Sequence, residues 1–158
     1  MNDACGPLTN LLLAGHLHGL QAKLLEGGDV EERDSAGRTL LLNAAIGNQL
    51  EAAQLLIRSG ANVNASDLSG FTALHFAAQN HLPEIATLLI DYGAIVDAED
   101  VHGNTPLGRA TFESRGSGEL ISILLAAGAN RNRRNKSGRS PLDLAKTIAN
   151  YNIIQFFE

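Results

Sequence analysis

Apolar residues in this chain recur in short clusters at helical spacing. Between positions 67 and 99, Leu74, Ala77 and Ala78 fall at i, i+3 and i+4, and Ile85, Leu88 and Leu89 repeat that spacing a few residues later. Each set predicts a short helix with one apolar face. Isolated helices below ~12 residues are marginal in water, so each helix pair must bury its face against another pair. The polar and small residues punctuate these clusters at a fixed period. Gly37, Gly70, Gly103 and Gly138, in "DSAGRT", "DLSGFT", "DVHGNT" and "NKSGRS", are spaced by 33, 33 and 35 residues. Gly27, Gly60, Gly93 and Gly128 repeat those intervals, which identifies an internal repeat. Thr39, Thr72, Thr105 and Ser140 stand where a hydroxyl accepts from free helical amides, and Pro106 and Pro141 follow at the first helical position. Gly60, Gly93 and Gly128 follow the Leu-rich helices as left-handed terminators. The pairs Ala44/Ala45 and Ala77/Ala78 predict close approach of neighbouring helices.

The unit "DLSGFTALHFAAQNHLPEIATLLIDYGAIVDAE" resembles the ankyrin repeat, D-x-x-G-x-T-P-L-H-x-A-A followed by E-x-x-x-L-L-L-x-x-G-A-x-V-N-A. The preceding unit matches too, departing at Leu40 and Leu42, where the family has Pro and His. The resemblance covers essentially the whole chain. It implies an all-α ankyrin-repeat solenoid of about five helix-turn-helix units in a single domain: a cap at 1–33, then 34–66, 67–99, 100–134 with an insertion, and a C-terminal cap at 135–158. The first unit lacks the D-x-x-G-x-T opening, keeps Leu17, Leu20 and Leu24 at helical spacing, and places Lys23 where later units are apolar, as a solvent-facing cap requires. The fourth unit carries its two extra residues at "SRGSG", 114–118, as a contact loop or as a neutral extension. The last unit is expected to stop inside its second helix, with Ile153, Ile154, Phe156 and Phe157 packing largely inward.

Composition narrows the class without changing this picture. Hydrophobic content of 44% with aromatics at 4% calls for a core of small aliphatics and fits a soluble protein. Cys5 is the single cysteine, which excludes an intramolecular disulfide and a thiolate zinc site. No basic segment precedes an apolar run of signal or membrane length, so the expectation is a cytoplasmic protein, away from membranes and monomeric alone. The net charge of -5 is uneven: through Asn130 there are six basic and fifteen acidic residues, a balance of -9, and from Arg131 six basic and two acidic, a balance of +4. The acidic body argues against nucleic acid along its length.

Candidate chemistry is sparse. His75 occupies the T-P-L-H position, where the resemblance implies a histidine that ties the turn. His16 and His18 do not share a helix face, and His81 and His102 have no carboxylate or Cys partner at ligand spacing, so neither a metal nor another cofactor is expected. "RGSGEL" lacks the spacing and the Lys-Ser/Thr pair of a phosphate loop. No nucleophile or general base stands outside the repeat pattern, and Asp34, Asp67 and Asp100 are read as turn-shaping residues; the expectation is a protein that is not an enzyme. The basic run at Arg131, Arg133, Arg134, Lys136 and Arg139 is either a solvated loop or a contact for an acidic protein surface.

The resemblance implies a concave surface made by the turn tips and the exposed side of each first helix. Carried over, it presents Ser35, Ala36, Arg38, Ile46 and Gly47, then Leu68, Ser69, Phe71, Gln79 and Asn80, then Val101, His102, Asn104, Phe112 and Glu113. Ile46, Leu68, Phe71, Val101 and Phe112 are apolar at positions expected to face solvent, which suggests a protein interface unless they shield one another. The expected activity is binding of a partner protein. The closing "GRSPLDLAKTIANYNIIQFF" looks like the terminal repeat of bacterial ankyrin proteins, some of which neutralise toxins as immunity proteins. A regulatory adaptor that binds an enzyme or effector without inhibiting it is the alternative.

Overall fold

Nine α-helices follow one another with no named strand among the residues described by this computed structural model, which are 6–148 and 152–158. They are α1 (Pro7–Leu13), α2 (Leu17–Leu25), α3 (Leu40–Ile46), α4 (Leu50–Arg58), α5 (Ala73–Gln79), α6 (Pro83–Asp91), α7 (Pro106–Phe112), α8 (Glu119–Ala126) and α9 (Pro141–Thr147), closed by a 3-10 helix at Ile153–Phe157. Cys5 lies outside the described residues. The odd-numbered helices pack in one layer, each on the next, and the even-numbered helices in a second; within each unit the two layers meet. The order of contacts is that of the chain, as a solenoid requires.

Burial explains why the first helices read as they do. In α3, Leu40, Leu41, Leu42, Ala44 and Ala45 are all fully buried, because the helix is enclosed by its own partner and by neighbours on two sides. In the next unit Leu74, Ala77, Ala78, Ile85 and Leu89 are buried, and Leu88 is half-buried. Alanine is required where helices approach this closely.

Local hydrogen bonding fixes each unit. Thr39, Thr72, Thr105 and Ser140 accept from the amides of Leu42, His75, Gly108 and Asp143, capping α3, α5, α7 and α9. In α1, where no such hydroxyl exists, the Glu32 carboxylate accepts from the Thr9 amide at 2.7 Å and the Thr9 hydroxyl at 2.8 Å. The second helices end in Schellman turns: Ala61 N–H donates to Leu56 C=O at 3.0 Å and Gly60 N–H to Ile57 C=O at 3.0 Å. Gly60, Gly93 and Gly128 have φ of 92°, 85° and 92° there, the left-handed region.

The interrepeat turn is built identically four times. The Asp34 Oδ1 atom accepts from the amides of Ala36 (2.9 Å) and Arg38 (3.0 Å); Asp67, Asp100 and Asn135 accept in the same way from residues two and four positions on. Each turn then rests on the next: Val101 N–H donates to Ser69 C=O at 3.0 Å and Lys136 N–H to His102 C=O at 2.9 Å. Gly37, Gly70 and Gly103 occupy equivalent corners with φ of 74°, 78° and 75°. Their neighbours are the next unit's tip; a Cβ on Gly70 would sit 3.1 Å from the Asp100 Cα.

Loop 114–118 packs at its two ends, where Ser114 and Gly118 are buried and a Cβ on Gly118 would overlap the Phe156 ring, and leaves Arg115 and Ser117 exposed between them. One expectation is corrected. The last unit does not form a second α-helix in the described residues. It closes with a 3-10 turn in which Ile153 and Phe157 are buried, Ile154 and Phe156 half-buried, and the Phe157 carbonyl accepts from the Arg131 guanidinium. A 3-10 turn satisfies its amides within a few residues, which suits so short a segment.

The stacking makes a differential prediction. Gly70→Ala meets both a left-handed backbone and the Asp100 backbone, whereas Gly60→Ala has φ of 92° and open space around it. In urea unfolding, Gly60→Ala is expected to lose ~1 kcal/mol and Gly70→Ala more, toward ~3 kcal/mol.

Candidate protein interface

The turn tips and first helices share one face. On it Leu68 is 79% exposed, Phe112 67% and Val101 47%. Ser69, His102 and Asn80 are also exposed, while Arg38, Ile46, Gln79, Asn104 and Glu113 are half-buried. Leu68 is the tip of the second interrepeat turn and covers Gly37 of the preceding unit. Its position follows from the Asp67 turn, which turns the chain so that residue 68 projects outward.

Phe71 differs from the expectation of an outward-facing anchor. Its ring is half-buried, 5.3 Å from the His75 ring and 5.2 Å from Phe76, and the Arg109 guanidinium stands 4.5 Å from its centroid. A cation over an aromatic face is attracted by the ring quadrupole. Arg109 also pairs with Asp100 at 2.5 Å, so Phe71 is held in a polar-aromatic stack shared by two units. Burial raises the Asp100 pKa, but the Arg109, Asn104 and His102 hydrogen bonds outweigh it and lower the carboxyl to about 2. Arg38 pairs with Asp34 at 2.9 Å, and the Asp34 carboxyl is likewise lowered: burial opposes this, and the Arg38, Asn43 and Ala36 hydrogen bonds prevail. Arg109 and Phe76 were missed by sequence reasoning. The available signal was their register, since they align with each other one unit apart.

His75 lies fully buried beneath this face. The Thr72 amide donates to Nδ1 at 3.2 Å, so Nε2 carries the proton and donates to the Asn104 carbonyl of the next unit at 3.0 Å. Burial lowers the imidazole pKa more than the Asn104 carbonyl and the Asp100 and Asp67 carboxylates raise it. His81, in the left-handed region at φ 55°, reaches the Glu113 carbonyl at 2.6 Å and so also ties two units together. Among the described residues no group of three or more His, Cys, Asp or Glu could hold a metal ion, and no helix is long and apolar enough to cross a membrane.

The basic run is largely spent internally. Arg133 pairs with Glu99 at 2.6 Å, Arg134 donates to Gly138 C=O at 2.5 Å and lies 3.5 Å from Asp143, and Lys136 donates to Val101 C=O at 2.7 Å. Arg131 holds the Phe157 carbonyl. Arg139 is the member of the run whose guanidinium has no partner among the described residues.

Stacked helix pairs with reverse turns projecting along one edge define a helical-repeat binding scaffold. Models of ankyrin repeats match residues 11–100 as three copies and residues 102–136 as a further repeat, and the chain belongs to the ankyrin-repeat family. No curated protein matches the chain. Ankyrin repeats are protein–protein interaction modules, and that is the class of activity this fold provides.

The His75 site predicts acid sensitivity. An unfolded histidine, at the ordinary 6.5, takes up a proton that the buried imidazole resists. The unfolded state then binds more protons, so this contribution is complete above that value and is lost as pH falls toward the folded-state pKa. His75→Leu, which places in α5 the residue that α3 carries as Leu42, is expected to lose stability of ~1–3 kcal/mol at pH 7.5, because the Thr72 amide loses its partner. It should also show a smaller drop in urea-unfolding stability between pH 7.5 and 5.5 than the parent protein.

Proposed function

We propose that the chain acts by binding a partner protein on the face formed by its turn tips and first helices, which we read as the concave side of the stack. The observation that carries this is the exposure of three apolar side chains, Leu68 and Val101 at turn tips and Phe112 at the end of a first helix. Contiguous exposed apolar area rimmed by polar groups marks interaction sites, and large buried anchors dominate their energetics. Ser69, Gln79, His102, Asn104 and Glu113 supply the polar rim. Binding is the whole activity in this reading, with no catalytic group, and the protein works as a cytoplasmic monomer.

The specific form we propose is a stoichiometric blocker that neutralises a toxin by covering it, as an immunity protein does. What supports that form is the likeness of residues 138–157 to the terminal repeat of bacterial ankyrin proteins. An adaptor that docks on an enzyme or effector and leaves it active uses the same face.

Capture from the native cell followed by mass spectrometry identifies the partner, and titration calorimetry with that partner tests the face. Phe112→Ala and Leu68→Ala are each expected to weaken binding by ~2 kcal/mol or more, the loss typical of a hot-spot anchor. Neither should shift the melting temperature by more than a few degrees, because neither side chain is in the core. Phe71→Ala is expected to lower the melting temperature as well, through loss of its stack with Phe76 and Arg109. Cells expressing the partner, if it is a toxin, should survive only when the parent chain is co-expressed; killing despite stable co-expression would exclude neutralisation.

A further inference from the structure

One interface in the stack lacks a residue that its neighbour has. In the third unit His75 fills the space between α5 and the following turn and reaches the Asn104 carbonyl. The aligned residue in α7 is Gly108, and the aligned carbonyl in the next turn is that of Arg139. Gly108 is helical, and a Cβ there would meet only Thr105 Oγ1 at 3.7 Å and Pro141 Cγ at 4.0 Å. Gly108 also lines a recess of about 510 Å³, together with Arg109, Phe112, Asn135, Arg139 and Leu144 among others.

The recess has a definite chemistry. Phe112 is 67% exposed and, with Leu144, gives it an apolar wall. Arg139 is exposed on its rim and unpaired among the described residues, and none of the lining residues is acidic. Arg109 is held on one side by Asp100, and its buried Nε has no hydrogen-bond partner. Positive charge is also concentrated at this end of the chain, +4 from Arg131 onward against -9 before it.

We infer that the recess between α7 and α9 receives a side-chain carboxylate from an acidic segment of the partner protein, flanked by an apolar side chain that rests on Phe112 and Leu144. A carboxylate matches a single guanidinium fork with two parallel hydrogen bonds, and charge complementarity accelerates encounter. A nucleic acid would need a continuous basic stripe, and the acidic body repels it. The inference rests on the protein-binding reading above and names what that face recognises.

Random peptides displayed on phage and selected against the full chain provide the probe. The expected result is enrichment of Asp or Glu beside Leu, Ile or an aromatic residue. A synthetic copy of a selected peptide, followed by fluorescence polarisation, should bind at least tenfold more weakly to Gly108→His, to Arg139→Glu, and when its own acid is changed to the amide. Gly108→His should keep or raise the melting temperature, since the new imidazole finds the partners His75 has; loss of binding without loss of fold then isolates the recess. Selected peptides without acidic residues, or binding indifferent to both substitutions, would overturn the inference. So would failure to recover any peptide, or competition by inorganic phosphate or a single-stranded oligonucleotide as strong as by the peptide. Peptides that ignore Gly108 and Arg139 but lose binding in Phe112→Ala or Leu68→Ala would leave the face standing as an interface. Indifference to all four would remove both readings.

Discussion

No helix in the described residues exceeds nine residues, and helices of that length do not persist alone in water. The whole molecule depends on this constraint. Each helix pair becomes stable only by pressing its apolar stripe on the pair before and the pair after, so the core is a chain of nearest-neighbour interfaces. The ends are therefore special. At the N-terminal end Leu13 and Leu25 remain 59% and 82% exposed, while Glu32 substitutes for the missing hydroxyl cap of α1. At the C-terminal end the 3-10 turn lays Ile153 and Phe157 over the last interface, and the loop at 114–118 shapes itself to the Phe156 ring.

Apolar burial holds the stack together, and polar ladders set its register. One ladder runs along the turn tips, where Asp34, Asp67, Asp100 and Asn135 each fold a turn that the next turn rests on. The other runs along the opposite loops, where Glu31 accepts from the Asn62 amide at 2.6 Å, Asn64 from Ile95 at 2.7 Å and Asp97 from Asn130 at 3.1 Å. These oxygens satisfy amides that would otherwise lack partners, and they do so across units, which resists sliding of one pair past another. Because the turn interiors are saturated, the side chains at the tips are left to face outward. Leu68 and Val101 are exposed for that reason, and the same geometry makes a binding face possible.

Regularity supplies the scaffold, and departures from it differentiate the surface. Arg109 replaces the aromatic that stands at Phe76 one unit earlier and reaches back to Phe71 and Asp100, closing the surface there. Gly108 replaces the histidine that stands at His75 and lines an open recess. The two changes lie side by side on α7.

The sequence by itself determined the repeat, its period, the unit that departs from it, the hydroxyl caps, the terminating glycines and the turn-shaping role of the aspartates. All of these are short-range: they depend on residues a few positions apart, and the period is printed in the glycine spacing. It also indicated Leu68, Val101 and Phe112 as outward-facing, because packing places no demand on those positions. Only the tertiary structure decided which long side chains reach across to another unit. Phe71 turns under Arg109, His81 finds the Glu113 carbonyl, and Arg131 holds the last turn, all through partners 26 to 38 residues away that periodicity cannot select. A repeat fixes where each Cα stands, but the direction of a flexible side chain is settled by the charges and carbonyls that stacking brings beside it.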